Sequence, residues 1–139
     1  MYRVNSDLQI GVEYNPLAND VGPLLNWRAI RENSSRPALI IGTSSDRIGT
    51  PTGRAFYATV SKEVTDGVTI YVGASYSQFE KKILIPAGVS FQLDDNWNTL
   101  FSYDGVDFHP MVSYSWDRYS LTLLLANTRY PGFGFSVGF

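Results

Sequence analysis

The chain has 139 residues, with 11 basic and 13 acidic side chains, a formal net charge of −2 and no cysteine. The length suits one domain, 1–139, and the charge provides no basic face broad enough for a nucleic-acid backbone. Without cysteine there is neither a disulfide framework nor a thiolate metal site, and no run approaches the roughly 18 apolar residues that a spanning helix needs.

Taken in chain order, short segments alternate with period two and are separated by turn residues, the pattern of strands whose successive side chains point to opposite faces. Leu8, Ile10, Val12 and Tyr14 share one face of the first segment, opposite Gln9, Gly11 and Glu13. The second, about Pro23 to Glu32, sets Leu25, Trp27 and Ala29 against Asn26 and Arg28. The third, Arg36 to Ser45, sets Leu39 and Ile41 against Ala38, Ile40, Gly42 and Ser44. The fourth, Arg54 to Glu63, has Phe56, Ala58 and Val60 opposite Tyr57, Thr59 and Ser61. The fifth has Val68, Ile70, Val72, Ala74 and Tyr76 opposite Thr69, Tyr71, Gly73, Ser75 and Ser77.

A sixth row runs from Ile83 through Ile85, Ala87, Val89 and Phe91 to Leu93. Segments around Trp97 to Tyr103, Phe108 to Trp116 and Leu121 to Leu125 follow. The tenth places Phe133, Phe135, Val137 and Phe139 against Gly132, Gly134, Ser136 and Gly138. The count is about ten, or eight if two weaker segments fail. Tight turns follow the even segments (Asn33-Ser34-Ser35, Thr65-Asp66-Gly67, Asp94-Asp95-Asn96, Asp117-Arg118). Longer connections, Leu17 to Gly22 and Asp46 to Gly53, follow segments one and three.

Which row is buried decides the fold. Water-facing rows of soluble sheets are rich in Lys, Glu, Arg and Thr, whereas the polar row here is Gly, Ser, Ala, Asn and Thr in a chain only 17% charged. The aromatic share is 14% although mean hydropathy is −0.10, a combination that aromatic girdles around a polar lumen produce. The expected fold is all-β, a closed antiparallel up-and-down transmembrane β-barrel, with a soluble ligand-binding barrel as the alternative. Residues 1–6 lack the apolar stretch of a secretory signal, so an exported form would be a mature chain or an excised segment.

The segment Tyr130-Pro131-Gly132-Phe133-Gly134-Phe135-Ser136-Val137-Gly138-Phe139 resembles the terminal strand of bacterial outer-membrane proteins. The resemblance implies an outer-membrane location, lipid and the barrel-insertion machinery as partners, with other envelope proteins as further candidates. It also implies that Phe133, Phe135, Val137 and Phe139 form the assembly signal. A second stretch, Trp27-Arg28, Glu32, Arg36-Pro37, Gly42, Gly49-Thr50 and Ser61-Lys62, is similar in order to YjbH-type barrels associated with exopolysaccharide export. It covers about a quarter of the chain. Those barrels are usually larger, so the resemblance implies a shortened relative or the last part of a bigger barrel.

For chemistry, the alternation puts Glu13 and Arg28 on the lumen face of adjacent strands, where they are expected to pair. Asp104, Asp107 and the single histidine, His109, cluster at one rim in a way that resembles the site of omptin-type proteases, though in composition only. No Ser/His/Asp spacing, metal signature, phosphate loop or cofactor motif accompanies them. The expected role is therefore structural or assembly-related, without catalysis and with a lumen largely filled by side chains. The alternatives are a narrow or polysaccharide-export-associated pore and a hydrolase at the rim.

Overall fold

A computed structural model describes residues 2–15, 19–47 and 50–137. It contains a single antiparallel meander: β1 (Tyr2–Arg3), β2 (Leu8–Asn15), β3 (Asp20–Ile30), β4 (Ala38–Ser45), β5 (Arg54–Thr65), β6 (Val68–Ser77), β7 (Lys82–Leu84), β8 (Ala87–Gln92), β9 (Trp97–Tyr103), β10 (Phe108–Trp116), β11 (Tyr119–Ala126) and β12 (Tyr130–Val137). β7 and β8 are two halves of one strand. Their register against β6 is continuous, Ser75 lying opposite Leu84 and Val72 opposite Ala87. The interruption falls at Ile85-Pro86, where proline has no N–H to give to a ladder, although the Pro86 carbonyl still accepts from Gly73 N–H at 2.8 Å. The sheet is thus ten long strands, as the alternation predicts, plus the short β1.

The sheet does not close. Among the described residues β12 pairs only with β11, and the edge of β2 that closure would need is taken at Gln9 and Ile10 by β1, folded back through the turn at Val4 to Asp7. This corrects the expectation of a closed barrel. The loop lengths differ as well. β3 starts at Asp20 and absorbs residues assigned to the first long connection, so at that rim only the 46–53 segment exceeds four residues. Leu17 lies outside the described residues.

The two faces differ as the alternation demands. Cross-strand pairs on one face are apolar from β2 to β12: Ile10 opposite Leu25, Trp27 opposite Ile41, Val60 opposite Val72, Val89 opposite Phe101, Tyr114 opposite Leu121 and Leu123 opposite Phe133. This face is largely exposed, reaching 76% at Val12 and 79% at Phe133. The opposite face is concave, because residues of β4 through β10 line one cavity on it. The most buried large side chain is a polar one on that concave face, His109 at 1% exposure, and Ser77 beside the same rim is completely covered. The molecule has its apolar side outside and its polar side within.

Candidate functional site

The concave face is assembled from small residues on some strands and tyrosines on their neighbours. Gly42 lies directly opposite Tyr57, and Gly88 directly opposite Tyr71. In each pair the ring occupies the space that a Cβ on the glycine would need, a cross-strand rescue of a bare backbone position. The Tyr57 hydroxyl donates to Asn26 Oδ1 on β3. That of Tyr71 pairs with Ser102 Oγ on β9 at 2.6 Å. Between these rings and the strand ends is a cavity of about 260 Å³ whose walls include Ser44, Thr59, Ser75, Asp104 and His109.

One rim of this face carries a connected polar network. Asp46, at the end of β4, accepts from Ser77 Oγ (2.9 Å), Phe79 N–H (3.0 Å) and Arg47 N–H (2.9 Å), tying the 46–53 segment to the end of β6. Arg47 Nε donates to Glu80 at 2.7 Å and its Nη1 lies 3.5 Å from Asp107, while Lys82 reaches Glu80 at 2.6 Å. Lys82 first, then Arg47, hold the Glu80 carboxyl below its ordinary range.

His109 joins two further loops of this rim, 104–107 and 127–129. Its Nε2 lies 2.9 Å from Asp104 Oδ2, and Nδ1 faces Asn127 N–H at 3.2 Å. Because Nδ1 accepts from that N–H, Nε2 carries the N–H that donates a hydrogen bond to Asp104 Oδ2. The other Asp104 oxygen accepts from Val106 and Asp107 N–H, both at 2.8 Å. Asp104 and His109 are therefore brought into contact, and Asp107 turns to Arg47. Both ring nitrogens are engaged within the fold, so the ring ties the 104–107 loop to the 127–129 loop.

The predicted Glu13–Arg28 pair is not formed. The β2–β3 register puts Gly22 opposite Glu13 and Trp27 opposite Leu8, so the two charges stand at opposite ends of the hairpin. Glu13 instead accepts from Ser45 N–H (2.9 Å) and Ser45 Oγ (2.5 Å) on β4. Arg28 bonds Asp7 at 3.0 Å, and Arg31 joins the same carboxylate at 2.5 Å. The Asp7 carboxyl is lowered to about 2, first by its hydrogen bond from Arg31 and further by Arg28. Lys62 closes this second rim against Glu32 at 3.1 Å and the Asn33 carbonyl at 2.7 Å.

Sequence reading missed Asp7, Asp46 and Ser77. Asp7 had a local signal, since Asn5 Oδ1 accepts from Asp7 N–H and Leu8 N–H in an Asx turn. Two partners of Asp46, Ser77 and Phe79, lie more than thirty positions away and left none. Of the terminal row, Phe133 and Phe135 are exposed on the apolar face, Val137 is half-buried in register with Tyr119, and Phe139 lies outside the described residues.

Among the described residues no group of three or more His, Asp or Glu is placed to hold a metal ion. Neither a family model, nor a curated protein, nor a solved structure matches the chain.

Proposed function

We propose that the chain is a lipid-facing β-wall of the bacterial outer membrane, with a structural role and a polar inner face. The observation that carries this reading is the unbroken apolar belt from β2 to β12, bordered by a run of neighbouring aromatic rings at the tight-turn rim. Centroids there step from Trp97 to Tyr114 (4.8 Å), Trp116 (5.6 Å), Tyr119 (5.7 Å) and Phe135 (5.9 Å), with the Arg118 guanidinium 5.5 Å over Tyr119. Rings flanked by cations suit a membrane–water interface. At the other rim Tyr103 and Phe108 pair at 5.0 Å. From Phe108 to Trp116 is about 27 Å along the strand. At a tilt of roughly 40° this covers about 20 Å of height, comparable with the roughly 25 Å apolar band of outer-membrane barrels.

A soluble sheet with this much exposed apolar surface would associate. The rim network of Asp46, Arg47, Glu80, Asp107, Asp104 and His109 favours a filled, structural interior over an open path. It equally disfavours a rim hydrolase, because its groups satisfy one another. Recognition of the terminal row by the insertion machinery belongs to the same reading. Refolding into detergent and lipid vesicles, read by heat-dependent gel mobility and protease protection, tests it. Insertion with a heat-modifiable band is expected. A monodisperse folded chain in detergent-free buffer would overturn the reading.

A further inference from the structure

We infer that the sheet is completed by a second copy of the chain, β12 of each copy pairing with β2 of the other. The inference rests on the membrane reading above, because an edge of unpaired N–H and C=O groups has no water to satisfy it in hydrocarbon. Two such edges flank the apolar belt. On one, β12, which carries the exposed Phe133 and Phe135, pairs among the described residues with β11 alone. On the other, β1 covers only Gln9 and Ile10, leaving the β2 edge from Gly11 to Asn15 unpaired among the described residues.

Strand direction suits that occupant. Every neighbouring pair is antiparallel, and with β7 and β8 as one strand there are ten strands from β2 to β12. The two edge strands therefore run in opposite directions. Laid against β2 of a second copy, β12 makes an antiparallel seam like all the others, and a twofold axis along the wall generates the second seam. An odd count would have made that seam parallel.

The edges also match in length and pattern. Both strands have eight residues, Tyr130 and Asn15 end at one rim, and Val137 and Leu8 end at the other. At equal height Phe133 faces Val12 on the apolar side and Gly134 faces Gly11 on the polar side. The five residues Tyr130 to Gly134 can then pair with Gly11 to Asn15 without displacing β1. A slip of one residue would put apolar against polar along the whole seam.

The absence of native cysteine makes the seam directly testable. Gly11→Cys and Gly134→Cys are prepared as separate chains, mixed, refolded into vesicles and oxidised, so that a disulfide between them can only join two copies. The inner-face positions should yield a covalent dimer as the main product. Moving the β12 cysteine to Phe133, or to Ser113 in mid-sheet, should reduce it at least tenfold. The unmodified chain should have the mass of two copies in detergent. Three results would overturn the inference: an inserted, heat-modifiable chain with the mass of one copy, equal cross-linking at all three positions, or no 11–134 dimer. Failure to insert at all would instead remove the membrane reading on which it stands.

Discussion

The ring of Tyr71 lies across Gly88 on the adjacent strand, and its hydroxyl continues to Ser102 one strand further on. A Cβ at position 88 would stand 2.5 Å from Tyr71 Cε1 and 2.6 Å from the Phe101 carbonyl, one of which is backbone and cannot swing aside. Gly88→Ala should therefore destabilise the sheet by about 1–3 kcal/mol through overpacking. Gly134→Ala, whose Cβ would meet only Thr122 Cβ at 4.0 Å, should cost less than about 0.5 kcal/mol, as expected of an uncrowded position. Urea titrations of the two variants in detergent measure the difference. Equal losses would mean that the ring does not rest on the glycine.

His109→Ala removes the acceptor of Asn127 N–H and the donor to Asp104 together. Leaving Asn127 N–H and Asp104 Oδ2 without these partners, beside a buried ring, should cost about 1–3 kcal/mol. The loss should be local to the rim, so amide exchange at Asn127 should accelerate well before that of the central strands. An Asn127 amide as protected in the variant as in the parent would refute this tie between the loops.

Asp7 gives a pH dependence. Its carboxyl is held at about 2 in the folded chain by Arg31 and Arg28, against about 3.9 when unfolded. The unfolded state therefore binds more protons in this range, and stability rises with pH. The contribution is complete above about pH 4 and is lost as pH falls toward and through 2. Stability curves of the parent and Asp7→Asn should differ above that window and converge below it. Parallel curves would show that the carboxylate contributes nothing there.

Leu123 sits mid-belt, exposed, with Val112 and Phe133 as its lateral neighbours. In lipid, Leu123→Arg should cost about 2–4 kcal/mol, the depth-dependent penalty for a cation on a barrel's outer face. In water the same change would be neutral and would raise solubility. Folding free energies in vesicles therefore report which solvent this face meets, and a neutral result there would contradict the lipid-facing assignment.

The sequence by itself determined the strands and their faces, because side-chain alternation is a property of each strand alone. Phe133, Phe135 and Val137 share a row wherever β12 is placed, but the break at Pro86 in the sixth row was not legible, since Pro23, Pro110 and Pro131 lie within unbroken strands. Only the tertiary structure decided which inner-face charges meet. Cross-strand partners depend on register, which turn lengths and the irregularities at Arg28/Ile30 and Glu63/Thr65 shift one strand against the next. Alternation put Glu13 and Arg28 on one face, but register sent Glu13 to Ser45 and Arg28 to Asp7. For the same reason Asp104 was legible beside His109 five residues away, whereas Asn127 and the Asp46–Ser77 bond were not, since curvature and loop packing bring them together. The open edge was also a tertiary outcome. Alternation is identical in a closed wall and an open one, and the difference lies in β1 pairing with Gln9 and Ile10 while, among the described residues, β12 pairs with β11 alone.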